Sequence, residues 1–217
     1  MLNMSHFTSK WDKSDKKFLG KKIVKRLRNP NITKKKLEEA VKSIQAQIIS
    51  LDTLLLRLKE RDKHIFGEVI KCIKLRNKRK ASIYANELTQ VRKLIKQVIF
   101  AKLALERICI RINTITDAGD VAAILAPAAA AVRSVQDIVS EVMPQAEEGF
   151  SEISTLLNGI LVDAATHEGF QLDVKTANAD AEQIIEEATR VAEEELRAKF
   201  PEVPFEAIPR EDSRISV

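Results

Sequence analysis

The three histidines, His6, His64 and His167, and the two cysteines, Cys72 and Cys109, are the first side chains to test as metal ligands or nucleophiles. Their spacing defeats both uses. No two of them share the short interval of a ligand pair, and none sits beside an Asp or Glu in a recognisable metal set. No Ser or Cys lies in a nucleophile context, and no glycine-rich turn follows a strand to cradle a phosphate. Cys72 and Cys109 fall in stretches that read as helices running in opposite directions, several turns apart, which argues against a disulfide. Two unpaired thiols suit a reducing cytoplasm and act as small apolar packing groups. The carboxylates crowded into the last third fit a solvated helix face. The reading is therefore a protein that is not an enzyme, with no cofactor, no metal and no small-molecule substrate.

What remains is the chemistry of charge. The chain has 217 residues and a net charge of +5, but the charge is polarised. Met1 to Thr116 carries 29 Lys and Arg against 10 Asp and Glu, a net +19, while Asp117 to Val217 carries 7 against 21, a net −14. A chain polarised this way can attract an anionic surface with one half and cover that half with the other; the alternative is that both halves simply carry solvated charged faces. Residues 1–30 interleave Trp11, Phe18, Leu19, Ile23, Val24 and Leu27 with Lys16, Lys17, Lys21, Lys22, Lys25 and Arg26. That is a basic amphipathic pattern of the kind that lies on anionic lipid. Lys34, Lys35 and Lys36, and the run Lys71, Lys74, Arg76, Lys78, Arg79 and Lys80, add further cations. The longest uncharged run in the low-charge middle, Val121 to Val132, has twelve residues and contains Pro127, short of the ~20 a spanning helix needs. Membrane contact is expected to be peripheral.

The elements that must position these charges are helices. Glycines and prolines number six each and aromatics are 5%, which disfavours a sheet. After the break at Asn29-Pro30-Asn31, Thr33 is the expected N-cap of a long helix. Its apolar residues step by four and three: Leu37, Val41, Ile44, Ile48, Leu51, Leu55, Leu58, then, past an interruption at Asp62, Ile65, Val69 and Cys72. The pattern stops at Leu75-Arg76-Asn77-Lys78 and resumes as Tyr84, Leu88, Val91, Ile95 and Val98. Lys102 falls out of step before Leu105, Cys109 and Ile112. Steps averaging ~3.5 residues mark a coiled-coil seam, and two seams joined by a polar turn predict an antiparallel hairpin at 31–116, with arms ~60 Å long. Such a rod cannot bury both arms against each other, so its remaining apolar surface needs the rest of the chain or another copy. Residues 117–175 read as short helices and linker, with Pro127 and Pro144 as kink or start points and Gly149 and Gly159 as weak points. Residues 176–199 read as an acidic amphipathic helix. Ala181, Ile184, Ile185, Ala188, Val191, Ala192 and Leu196 form its stripe, and Glu186, Glu187, Glu193, Glu194 and Glu195 line its other faces. Residues 200–217 read as a Pro-rich, extended tail.

The hairpin stretches Leu37-Glu38-Glu39-Ala40, Leu58 to Lys63, Tyr84-Ala85-Asn86-Glu87-Leu88 and Leu103 to Arg107 resemble those of archaeal ESCRT-III-like cell-division proteins, the CdvB paralogues. The order of elements matches too: hairpin, two shorter helices, linker, acidic helix. The tail from Phe200 to Pro209 is similar to an MIT-interacting motif, which implies docking of Phe200, Pro201, Val203, Pro204, Ile208 and Pro209 in the MIT domain of an AAA ATPase. Only eighteen residues follow Lys199, so the chain is expected to resemble the shorter paralogues that lack a winged-helix tail. The resemblance implies an all-α fold and co-assembly with itself and paralogous subunits into a filament on an anionic membrane. It also implies autoinhibition by the acidic helix and a cytoplasmic, peripheral-membrane location at the mid-cell division ring, where constriction and scission occur. Two other readings stay open on the residues alone. One is a basic helical nucleic-acid-binding protein, which the cationic half would serve but which lacks aromatic platforms. The other is a passive coiled-coil scaffold.

Overall fold

The computed structural model describes residues 30–115, 121–168 and 174–204, and every regular element among them is helical. Helix α1 spans Pro30–Lys74 and α2 spans Lys78–Asn113, an antiparallel pair. Helices α3 (Val121–Val142), α4 (Glu147–Glu168, entered through a 3-10 turn at Pro144–Ala146) and α5 (Val174–Lys199) follow. The expected all-α hairpin architecture is present. The N-terminal segment with Trp11, Lys16, Lys17, Phe18, Lys21, Lys22, Lys25 and Arg26, the joint at 117–120, and Ile208 and Pro209 lie outside the described residues.

Three helix boundaries differ from the sequence reading. Helix α1 starts at Pro30 rather than Thr33. Proline has no N–H to lose in a first turn and its ring presets a helical φ, so this Asn-Pro-Asn opens the helix instead of breaking it. Helix α5 starts at Val174, before the expected residue 176. Helix α3 runs unbroken through Pro127, which is buried within it. By length and composition α3 could cross a bilayer. Its Leu125, Ala128, Ala131, Val132 and Val135 are instead fully buried in the protein.

The turn between α1 and α2 is very short. The Asn77 N–H donates to the Cys72 carbonyl (2.9 Å) and the Arg76 N–H to the Ile73 carbonyl (2.9 Å), the paired bonds of a Schellman cap. Arg76 takes the left-handed conformation that cap requires, with φ 54°. Asn77 then caps α2, its side chain accepting from the Lys80 N–H at 3.1 Å.

Three helices pack around the base of the hairpin. Helix α3 packs on α2, α4 packs on both α3 and α1, and α5 lies in the groove between α2 and α3. Gly149 lets α4 sit directly against the Gln47 side chain of α1. Because α2 is covered on three sides, its buried face is much wider than one seam: Ile99, Phe100, Ala101, Ala104 and Ile108 join the heptad positions. Helix α1 is covered on two sides and leaves Ile49 (66% exposed) and Leu56 (65%) on its outer flank.

Ile95 is fully buried at the seam and Ile83, on the same helix, is 59% exposed. Ile95→Ala is expected to destabilise the fold by about 2–5 kcal/mol in urea unfolding. Ile83→Ala is expected to change it by less than about 0.5 kcal/mol.

Candidate functional site

The two residues that broke the apolar register are cross-links between the arms. Asp62 is buried, 3% exposed, at a seam position. The Arg92 Nε donates to its Oδ1 at 2.8 Å. Lys102 donates to Asp52 at 2.6 Å. That hydrogen bond holds the Lys102 ammonium above the usual lysine range, against the opposing effect of burial. Arg61 pairs with Glu87 at 2.7 Å on the hairpin's surface. Opposite charges at matched heights admit one alignment of two antiparallel helices, because any slip leaves a buried carboxylate unpaired.

Arg92 reaches further than its arm. Its guanidinium lies over the Phe66 ring (5.9 Å) and the Phe200 ring (5.8 Å), and it donates to the Pro201 carbonyl. Tail and hairpin thus meet on one arginine. Its Nη2 is buried without a hydrogen-bond partner among the described residues, which carries a desolvation cost. Phe200 and Val203 are half-buried against the core, Pro204 is half-buried, and Pro201 is exposed.

The acidic helix α5 lies antiparallel to α2. Ala181, Ile184, Ala188 and Ala192 are buried beneath it, with Ile185 and Leu196 packed at the edge and Val191 half-buried. Lys96 donates to Glu193 at 2.6 Å, and Arg107 pairs with Glu187. The Lys96 hydrogen bond, then its charge, pulls the Glu193 carboxyl below the usual glutamate range. Glu186 and Glu194 are exposed, and Glu194 pairs within its own helix with Arg190 at 3.0 Å. Of Glu186, Glu187, Glu193 and Glu194, therefore, Glu187 and Glu193 are the two that ion-pair with the hairpin. Of the lysine triplet, Lys34 and Lys35 are exposed, whereas Lys36 pairs with Asp163 at 2.6 Å and fastens α4 to the base of α1.

The sequence matches known division proteins along most of its length. The chain is 31% identical over 189 residues to Cell division protein B1 of Sulfolobus acidocaldarius, covering 87% of this chain and 88% of that protein. The chain belongs to the ESCRT-III-like cell division protein B family. Cell division protein B of the same organism is 29% identical over 170 residues, covering 78% of this chain and 65% of that longer protein. No family model matches the chain, and no solved structure matches it. Membership in the cell division protein B family supports a role in cell division.

Sequence reasoning missed Asp62, Arg92 and Phe66 as a unit. The available signal was a lone charge of opposite sign on each arm of the hairpin, one at a seam position and one beside it. Arg92→Ala leaves Asp62 buried and unpaired and is expected to cost about 3–5 kcal/mol, whereas Asp62→Leu combined with Arg92→Met is expected to restore most of it. Urea unfolding of the three chains measures this. Glu193 has a depressed pKa, so its attraction for Lys96 is fully present above the ordinary glutamate pKa and fades as pH falls through the lowered value. Amide exchange on α5 is expected to quicken on that acid side, and Glu193→Gln is expected to remove this component of the pH dependence.

Proposed function

We propose that this family member is a filament-forming subunit that polymerises on an anionic membrane at the division site, together with paralogous subunits, and drives constriction and scission. The observation that carries the reading is the position of α5. An acidic helix lies on a basic hairpin through an alanine-rich stripe, two half-exposed ion pairs and an imperfectly satisfied clasp at Arg92. Contacts of this kind are exchangeable, which suits a monomer stored closed and opened for assembly. Opening frees the faces of α2 and α3 and the tail beginning at Phe200.

The outer flank of α1 supports the assembly half of the proposal. Ile49 and Leu56 stand one heptad apart and are both exposed, a spacing that presents an apolar line to a neighbouring rod. In this scheme the MIT domain of an AAA ATPase grips Phe200, Pro201, Val203, Pro204, Ile208 and Pro209. Phe200 and Val203 become fully available only when the tail leaves Arg92 and Phe66. Prolines in such a segment limit the entropy lost on docking. ATP-driven pulling on the tail then exchanges or removes subunits.

Truncation after residue 173 is expected to convert a monomer into filaments or sheets, seen by sedimentation and negative-stain microscopy; a truncated chain that stays monomeric at high concentration contradicts autoinhibition. In that truncated chain, Ile49→Asp with Leu56→Asp is expected to restore the monomer while leaving helicity by circular dichroism unchanged.

A further inference from the structure

The end of the hairpin carries a second exposed apolar feature in a different chemical setting. Leu75 is 78% exposed and Ile83 59%. They bracket the turn, and the surrounding residues Lys74, Arg76, Lys78, Arg79 and Lys80 are all exposed. From Val69 to Asn86 there is no Asp or Glu at all. Lys71 is ion-paired, with Glu68 at 2.5 Å. The tip is therefore an apolar pair set in a collar of cations with no acidic neighbour in sequence.

Among the described residues, the tip also stands clear of the bundle. Ion pairs and hydrogen bonds from α5 and the tail meet α2 at Arg107, Lys96 and Arg92, in that order toward the turn. The arm from Arg92 to Lys78 is about four turns, roughly 20 Å of helix pair. Within it, Arg61–Glu87 and the apolar seam of Ile65, Val69, Cys72, Ala81, Ala85 and Leu88 hold the arms together. A rigid prong results, and α5 and the described part of the tail, to residue 204, leave its end uncovered.

The backbone adds an independent observation. Arg76 occupies the left-handed cap position, where glycine carries no steric cost and arginine does. The cap's bonds are both made, so nothing about capping calls for a side chain there. Leu75 is likewise not needed inward, since it makes no part of the buried seam. A costly cation and a solvent-facing leucine side by side point outward to a partner.

We infer that the hairpin tip is an end-on membrane contact: Leu75 and Ile83 enter the interface of an anionic bilayer while the collar of lysines and arginines sits at the headgroups. The charge pattern selects an anionic partner. The large exposed aliphatic residues, without any aromatic platform at the turn, favour a lipid interface over a nucleic acid. The inference rests on the membrane-bound reading above and adds an orientation to it, because the rod meets the bilayer by its end and the Ile49–Leu56 flank stays free for a neighbouring subunit.

The test uses full-length protein bearing an environment-sensitive dye on a cysteine at Leu75→Cys, Ile83→Cys or Ile49→Cys. The native thiols do not compete. Cys72 and Cys109 are both buried, and burial pushes the Cys109 thiol up to about 11. Each labelled chain is mixed with phosphatidylglycerol–phosphatidylcholine vesicles, phosphatidylcholine vesicles or duplex DNA. A blue shift at positions 75 and 83 with anionic vesicles that spin-labelled lipid quenches, and no such quenching at 49, where any shift reports subunit contact, is the expected result. The Lys78→Ser/Arg79→Ser/Lys80→Ser variant is expected to lose about tenfold or more in vesicle affinity and to show a flatter salt dependence, at ~1 kcal/mol per surface charge. Arg76→Gly is expected to raise Tm while weakening vesicle binding, a combination that folding damage cannot produce. Vesicle binding without a shift at 75 and 83 overturns the tip contact and leaves the membrane reading standing. Absence of vesicle binding overturns both. A shift with DNA and not with vesicles overturns the lipid assignment in favour of nucleic acid.

Discussion

Two long helices paired side by side have more apolar perimeter than either can hide on the other, and most of this structure follows from that constraint. Helix α2 is apolar over a width that one partner cannot cover. It therefore recruits α3 on one side and α5 on another, besides α1. Helix α1 has a narrower apolar face, takes α4 as its second partner, and leaves a line of aliphatic residues outside. The hydrophobic effect is non-directional, so it specifies that these faces be covered but not by which surface. In the proposed assembly, that indifference lets one chain satisfy the same faces from within in one state and from a neighbour in another.

Charge supplies the direction that burial lacks. Asp62 with Arg92 and Asp52 with Lys102 set the alignment of the arms. Lys96 with Glu193 and Arg107 with Glu187 set the alignment of α5 on α2. The two groups differ in burial, and so in consequence. Asp62 is cut off from water, and losing its partner there is heavily penalised. The α5 pairs are more than a third exposed, so each contributes little and is readily screened. A firmly held hairpin with a loosely held cover is what the proposed closed but releasable subunit requires. Arg92 belongs to both groups, since it is locked to Asp62 on one side and covered by Phe200 and the Pro201 carbonyl on the other.

A good part of this could be read before any coordinates. The heptad steps from Leu37 to Cys72 and from Leu88 to Ile112 located both arms, and the polar run at Leu75 to Lys78 located the turn. The stripe of Ala181, Ile184, Ala188 and Ala192 identified the face by which α5 packs, as found. Less legible were features that depend on what lies opposite. Asp62 and Lys102 read as breaks in a pattern because a one-dimensional period scores a charge as an interruption, whereas in the pair each meets its counter-ion. Pro30 read as a breaker because its effect reverses between a helix interior and a first turn. The uncharged stretch of α3 ended early by inspection, although the whole helix is apolar enough to pass for a membrane span. Its burial among α2, α4 and α5 decides its role.

By itself the sequence determined periodicities and polarities: which faces are apolar, which half is cationic, where the chain turns, and the family to which that order of elements belongs. These are local or cumulative properties, set by side chains within a turn or two of one another. Tertiary structure alone decided the pairings: Asp62 with Arg92, Arg92 with Phe66 and Phe200, Glu187 and Glu193 rather than Glu186 and Glu194 against the hairpin, and Lys36 with Asp163 at its base. Such pairs join residues tens of positions apart, and their choice depends on the rotation of each helix about its own axis. That rotation is fixed when several apolar stripes are buried together in one bundle, and no single stretch of sequence records it.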